Sequence, residues 1–272
     1  MSTLTDFEPM NTSSSASVTN SDALTRAAHQ LARLIASSRR IVAFTGAGIS
    51  AESGIPTYRG EGGTWTQYDP DKYASIEYFR RDPGYYWSFF KNVRMAAMQD
   101  AAPNGAHLTL AEFEKQGVLT AVITQNIDGL HRRAGSSKVL ELHGNTTRFY
   151  CLKCREPYSL DDVCLILERE PIPQCGSCCG VIRPDVVLFG EHLPNGVLEE
   201  AYQAANECDL MLVVGSSLVV YPAADIPVHA KQNGAKLSII NLDPTPMDDL
   251  ADLPLHLPAA SLLTAVMEKL SR

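Results

Sequence analysis

Six times along this chain an apolar run stops abruptly in small or hydrogen-bonding residues. Ile41-Val42-Ala43-Phe44 leads into Gly46-Ala47-Gly48, Leu119 to Thr124 into Gln125-Asn126-Ile127-Asp128, and Lys138 to Leu142 into His143-Gly144-Asn145. Val186 to Phe189 then leads into Gly190-Glu191, Leu210 to Val214 into Gly215-Ser216-Ser217, and Lys236 to Ile240 into Asn241-Leu242-Asp243. Helical spacing fills the intervals, at 106–116, 197–207, about 223–233 and 260–270, and Leu24 to Ile35 opens the series behind an N-cap at Ser21 or Asp22. Strands alternating with helices predict an α/β fold on a doubly wound parallel sheet. Ligands of such sheets bind beyond the carboxyl ends of the strands, where all six polar clusters fall.

The first of these runs carries the most chemistry. A buried strand feeding Gly46-Ala47-Gly48 leaves backbone N–H groups free to face a phosphate. The run Gly46-Ala47-Gly48-Ile49-Ser50-Ala51 fits the dinucleotide fingerprint, but Gly54, Pro56, Gly60, Gly62 and Gly63 follow, with Arg59 among them as a cation. A hydride-transferring enzyme needs an acidic residue about twenty positions on, at the end of the second strand. Asp69 has no apolar strand before it, and the acidic residue that ends a strand is the distant Asp243. A phosphate turn running into an Arg-bearing glycine loop suits a dinucleotide without suiting a dehydrogenase.

Formal net charge is −8, with 31 acidic against 23 basic residues, which disfavours a nucleic-acid surface. No apolar run reaches the roughly 18 residues that span a bilayer, and the opening residues lack the pattern of a signal peptide. Four of the seven cysteines form two C-x-x-C pairs, Cys151/Cys154 and Cys175/Cys178. Two such knuckles can close a tetrahedron of thiolates around one structural Zn²⁺, with Cys178 favoured by spacing over its neighbour Cys179. An odd cysteine count and a metal site point to a reducing intracellular compartment, the cytoplasm before the nucleus or mitochondrion. Residues 1–20, rich in Ser and Thr, read as a disordered tail. Residues 66–104 read as irregular helix whose many aromatics are mostly core.

Together, GAGISAESGIPTYRG, TQNIDGLHRRAG, ELHGN, the two cysteine pairs, RPDVVLFGE, VVGSSLVVYPAA and INLDPTP resemble the sirtuins, NAD-dependent protein-lysine deacylases. The resemblance implies a Rossmann-type domain over 21–65, 105–147 and 184–272. A small inserted module would comprise a helical part, 66–104, and a zinc-binding part, 148–183. NAD, as co-substrate, and an acylated-lysine protein or peptide would meet between them. Gly46, Ala47, Gly48, Ser50, Ala51, Thr57, Tyr58, Arg59 and Trp65 would take the diphosphate and close over NAD. Gln125, Asn126 and Asp128 would line the nicotinamide and ribose pocket, and His143 would be the general base, with Asn126 and Asp128 as its catalytic companions. Gly215, Ser216, Ser217, Asn241, Leu242, Asp243 and Ala259 would hold the adenosine half. Val187, Phe189, Gly190 and Glu191 would border the acyl-lysine tunnel. The implied products are nicotinamide, free lysine and O-acyl-ADP-ribose, with NAD-dependent protein ADP-ribosylation as the alternative on the same fold.

Within that family the branch acting on succinyl- and malonyl-lysine is the most similar, in AESGIPTYRGEGGTW and in the small Ala74. That branch grips the acyl carboxylate with a Tyr-x-x-Arg pair on the helix after the aromatic cluster. Here Trp87 to Arg94 carries one extra residue. Counting forward from Trp87 the pair becomes Phe90 and Val93, an apolar pocket for acetyl or longer acyl groups. Counting back from Pro103 it becomes Lys91 and Arg94, cations that can pair an acidic one. The registers differ by about 100° of helical turn. The reading here follows the apolar register and expects deacetylation first, with desuccinylation, demalonylation or long-chain deacylation as alternatives.

Overall fold

The computed structural model describes residues 13–60 and 62–271. Its main sheet has six parallel strands: β1 (Ile41–Thr45), β2 (Leu119–Thr124), β3 (Val139–Glu141) and, after an insertion, three more further down the chain. The insertion contributes β4 (Gly144–Cys151), β5 (Pro157–Ser159) and β6 (Ile182–Val186). The later strands of the main sheet are β7 (Leu210–Val214), β8 (Lys236–Ile240) and β9 (Leu253–Leu255). Their spatial order is β3-β2-β1-β7-β8-β9, the doubly wound order that reverses beside β1. β1, β2 and β7 are buried almost throughout, because helices cover both faces of the sheet and continuous apolar runs can be buried on both.

On one face the helices Ser13–Ala36, Gly105–Lys115 and Ala259–Leu270 pack Leu31, Leu110, Phe113, Leu262 and Leu263 against Ile41, Val122 and Leu212. On the other, Asn195–Glu207 and Asp225–Gln232 pack Ala201, Ala205, Ile226 and Ala230 against Phe44, Ile123 and Val213. A third core joins the aromatic segment to the cysteine-bearing module: Tyr86, Trp87 and Phe90 pack with Phe149, Val163, Leu167 and Ile182. Among the described residues no helix is long and apolar enough to cross a membrane.

Three sequence expectations shift. The first helix begins at Ser13, not at Ser21 or Asp22, because no Gly or Pro interrupts residues 13–22 and an established helix propagates cheaply. Of the expected tail, residues 1–12 lie outside the described residues. The run Val186 to Phe189 is not a strand of the main sheet; β6 ends at Val186 and pairs antiparallel with β4, in a three-stranded sheet ordered β5-β4-β6. The sixth parallel strand is instead β9, whose Pro254 is tolerated on a sheet edge.

Candidate active site

Sheet register brings the polar clusters together. Thr45 stands level with Thr124 of β2 on one side and Val214 of β7 on the other. The ladder continues one residue further, with Gly46 N donating to Val214 O, Gln125 N to Thr45 O and Gly215 N to Ile240 O. Beyond it the chains touch backbone to backbone. A Cβ on Gly46 would lie 2.8 Å from Gly215 O, and one on Gly48 would lie 2.8 Å from Gly215 Cα. Gly215 itself sits at φ +63, and a Cβ there would collide with Ile49 N. Only glycine lets the turns after β1 and β7 pack this closely, and together they form a backbone cradle on the cleft wall of the kind that suits the diphosphate of a dinucleotide. Past the cradle Ala47–Ser53 winds as a short 3₁₀ helix that the left-handed Gly54 ends.

A cleft of about 780 Å³ opens over this edge and continues into an inner cavity of about 60 Å³. Gly46, Ala47, Gly48, Ala51, Thr57, Tyr58, Arg59 and Trp65 line the main cleft, as do Gln125, Asn126 and His143. So do Gly215, Ser216, Ser217, Asn241, Leu242, Asp243 and Ala259 at one end, and Val187, Phe189, Gly190 and Glu191 at the other. Ser50, Asp128 and Val93 line the inner cavity, and Arg94 borders both spaces. The glycine loop is tied across its base by Thr64 N donating to Thr57 O and Trp65 N to Tyr58 O, with Tyr58 and Trp65 stacked at 5.2 Å.

At the inner end one hydroxyl organises the polar groups. Ser50 Oγ accepts from Asn126 Nδ2 at 3.1 Å, donates to Asp128 Oδ2 at 2.8 Å, and lies 3.4 Å from His107 Nε2. Leu130 N donates to the other oxygen of Asp128. Burial pushes the Asp128 carboxyl above the ordinary aspartate value, against the pull of the bonds from Leu130 N and Ser50. Behind them His107 and His131 pack with ring centroids 4.9 Å apart and planes tilted by 58°, both fully enclosed.

His143 is set by the strand next door. Its Nδ1 lies 2.9 Å from the carbonyl oxygen of Gln125, which can only accept, so Nδ1 carries the proton and Nε2 the lone pair. Burial pulls its pKa below the ordinary histidine value, and the Gln125 bond opposes that pull. Gln125 in turn donates from Nε2 to Ser216 Oγ at 2.8 Å, which fixes the two strand ends to each other. The arrangement can take a proton at Nε2 in the middle of the cleft.

Two expected residues do not reach the cleft. Phe90 is fully buried against Trp87 and Phe149, and Lys91 donates from Nζ to Leu167 O at 2.9 Å. The cause is a π turn over Phe90–Arg94, which absorbs the extra residue locally. The cleft therefore receives one residue of each register, Val93 and Arg94, together with Phe89. Phe89, Ile127 and Thr146 are lining residues that motif reading missed, as is His107 behind Ser50. Ile127 was signalled only by its place between Asn126 and Asp128.

Glu191 has its carboxylate engaged. Both oxygens accept from the buried Arg183 at 2.7 Å, and one also accepts from Leu188 N, which folds residues 187–191 into a turn beside the cleft. Phe189 N donates to Ala74 O and Ile76 N to Phe189 O, so this turn is pinned to the aromatic module.

In the small module the Sγ atoms of Cys151, Cys154, Cys175 and Cys178 all lie within 4.8 Å of one another, with Cys151 to Cys178 at 3.5 Å and Cys154 to Cys175 at 3.6 Å. A tetrahedral zinc thiolate centre needs sulfurs about 3.8 Å apart. The set fits one structural Zn²⁺ and leaves no open position. Lys153 N donates to Cys151 Sγ, and Cys179 is exposed outside the cluster, which leaves Cys178 as the fourth ligand.

The Sir2 family model matches residues 46–222, more than half of the chain. NAD-dependent protein deacylase 2 of Archaeoglobus fulgidus is 48% identical over 242 residues, covering 89% of this chain and 95% of that protein. NAD-dependent protein deacetylase of Sulfolobus acidocaldarius is 50% identical over 231 residues, covering 85% and 90%. Among solved structures, Sir2 with a p53 peptide and NAD⁺ superposes with a TM-score of 0.82 at 44% identity, covering 88% of this chain and 97% of that one. Sir2 bound to acetylated peptide gives 0.82 at 42% identity, covering 89% and 97%. With a glycine cradle, a half-buried histidine at a strand end and a four-thiol knuckle module already in place, the chain belongs to the Sir2 family of NAD-dependent protein deacylases.

Proposed function

We propose that this chain removes acetyl groups from lysine side chains of proteins or peptides in a cleft where His143 Nε2 is the general base. NAD, when bound, supplies a ribose carbon for the acyl oxygen to attack as nicotinamide leaves. The glycine cradle and Arg59 hold its diphosphate, Ser216, Ser217, Asn241, Leu242 and Asp243 its adenosine half. Asn126 orients the carboxamide of the nicotinamide, and Asp128, kept in place by Ser50, completes that pocket. His143 Nε2 accepts the proton of a ribose hydroxyl, and the walls at Phe89, Ile127 and Val187 keep water from competing. Val187, Phe189 and Gly190 border the acyl-lysine, with Glu191 acting on them through Arg183. In this reading the NAD-binding domain comprises 21–65, 105–147 and 184–272, and 66–104 and 148–183 form the small domain. A thiol cluster of this kind calls for a reducing compartment, the cytoplasm in our reading.

The observation that carries the assignment is the Nδ1 bond of His143 to Gln125 O, since it commits the opposite nitrogen to accepting a proton. His143→Ala should nearly abolish NAD-dependent deacetylation with zinc content intact; full activity in that variant would overturn the role.

A second reading has its own support. Arg94 borders both spaces and makes no ion pair among the described residues, and the small Ala74 leaves room nearby. An acyl group ending in a carboxylate, succinyl or malonyl, would pair with it. Turnover of acetyl-, succinyl- and myristoyl-lysine peptides separates the readings: acetyl fastest supports the first, and faster desuccinylation replaces it with the second.

A further inference from the structure

The glycine loop that carries Arg59 has two aromatic rings at its base. Tyr58 and Trp65 stand at its two ends, with centroids 5.2 Å apart and planes 25° from parallel. Among the described residues, every hydrogen bond made by residues 57–65 ends within 57–68. The loop is therefore tied to itself, and hydrogen bonds do not fix it against the body of the protein.

Ring stacking does so instead. Trp65 lies over Phe89 at 6.0 Å with planes 24° apart. The Arg94 guanidinium bridges the same groups, 5.6 Å from the Tyr58 ring and 5.0 Å from that of Phe89. Phe89 ends the helix Pro83–Phe89 of the aromatic module and is 2% exposed. Its other neighbours hold it in place, Tyr68 meeting it edge-on at 5.0 Å and Tyr73 at a tilt at 5.6 Å. Phe89 lines the inner cavity and not the main cleft, whereas Trp65 and Arg59 line the main cleft and Tyr58 borders both. Phe89 thus meets the loop from below, and it reaches the cofactor space only through the two rings above it.

We infer that Phe89 is a positioning residue for NAD: it supports Trp65 and Tyr58 from below and so presets the loop whose Arg59 holds the diphosphate. The inference rests on the placement of the diphosphate given above. A loop already resting on a fixed ring loses less freedom when NAD binds, so the stack contributes to affinity without touching NAD. The geometry of a stacked pair belongs to flat rings, and an aliphatic side chain of similar bulk does not reproduce it.

The test is a double-mutant cycle read by the dissociation constant of NAD, measured calorimetrically on the full chain. Phe89→Leu and Trp65→Leu should each raise that constant about three- to tenfold, the range of one aromatic pair. The double variant should match Trp65→Leu, because the second change removes a stack already lost. Trp65→Phe, which keeps a stacking ring, should bind NAD within about twofold of the unaltered chain. Where Phe89→Leu does not fold, Phe89→Met takes its place in the cycle. A merely structural Phe89 would lower the thermal midpoint and leave NAD binding alone. Unchanged NAD affinity in Phe89→Leu, a Trp65→Phe as weak as Trp65→Leu, or losses that add in the double variant would each overturn the inference. Arg59→Ala tells the two failures apart. If it weakens NAD binding while Phe89→Leu does not, Phe89 alone is wrongly placed; if it leaves NAD binding unchanged, the diphosphate assignment fails and takes the inference with it.

Discussion

Ser50 Oγ stands between Asn126 and Asp128, accepting from one at 3.1 Å and donating to the other at 2.8 Å. Because Ser50 is fully buried, water does not replace it when it is removed. Ser50→Ala should leave the Asn126 amide and the Asp128 carboxylate each short of a partner, at a cost of about 1–3 kcal/mol apiece. Nicotinamide release and exchange should fall at least tenfold with zinc content unchanged. Retention of full exchange in that variant would show that Asn126 and Asp128 hold their orientation without the hydroxyl.

The protonation of His143 gives the rate a definite pH dependence. Nε2 acts only when deprotonated, so kcat rises with pH through the His143 pKa and then levels off. Burial lowers that pKa, more than the Gln125 bond restores it. The midpoint of the acid limb should therefore lie below the ordinary histidine value of about 6.5. A pH–rate profile at saturating NAD and acyl-peptide measures it, and a midpoint above the ordinary value would count against His143 as the base.

His107 and His131 make the fold sensitive to acid. Burial lowers His107 to about 4; burial, reinforced by His107 nearby, lowers His131 to about 3. Between those values and about 6.5 the unfolded chain binds protons that the folded one refuses, so stability is complete above the range and declines as pH falls through it. The loss should amount to several kcal/mol, on the order of 3 for each histidine. Thermal midpoints recorded from about pH 7 down to about pH 4 should drop steeply, and His131→Asn should flatten part of that drop while lowering the midpoint at neutral pH.

Much of the architecture could be read directly, and the exceptions share a physical origin. β1, β2, β7 and β8 are buried on both faces, so they are written as unbroken apolar runs, and their turns carry the small residues that close backbone approach demands. β4 is different: Gly-Asn-Thr-Thr-Arg-Phe-Tyr-Cys buries only half of its residues, in no regular alternation, and is held partly by the cysteine knuckle, so periodicity does not announce it. β9 has three residues and a proline. The apolar register holds at Val93 and fails at Phe90 because both anchors are satisfied at once. A π turn keeps Trp87 in the core and still presents Val93 and Arg94 to the cleft, an outcome neither α-helical count contains. His107 escaped notice because its role depends on Asn104 and Ser50, which only the fold brings beside it.

The zinc module should depend on a glycine outside the ligand set. A Cβ on Gly180 would lie 2.7 Å from Cys151 Sγ and 3.3 Å from that of Cys178, so Gly180→Ala must push two of the four sulfurs apart. Zinc bound per chain should fall, and the metal should be released to a chromophoric chelator faster than from the unaltered protein. Because the site has no open position, stripping the metal should lower the thermal midpoint as well as activity, by loss of a cross-link inside the third core. Loss of activity with an unchanged midpoint would contradict a structural role.

Arg94 offers the sharpest distinction between acyl groups. Its guanidinium lies 5.0 Å from the Phe89 ring and 5.6 Å from that of Tyr58, half-buried at the junction of the two cavities. Those rings hold the cation without neutralising it. An acetyl group gains nothing from a charge in this place, whereas a succinyl carboxylate would form a charge-assisted bond worth about 1.5–3 kcal/mol. Arg94→Met keeps the length and apolar stem of the side chain. It should leave acetyl-lysine turnover within about threefold, while kcat/KM for a succinyl-lysine peptide should fall by roughly 10- to 100-fold. An equal loss on both peptides would mean that Arg94 supports the π turn and not the acyl group. An unchanged succinyl rate would remove it from the acyl pocket altogether and leave Phe89 and Val93 as the walls that decide chain length.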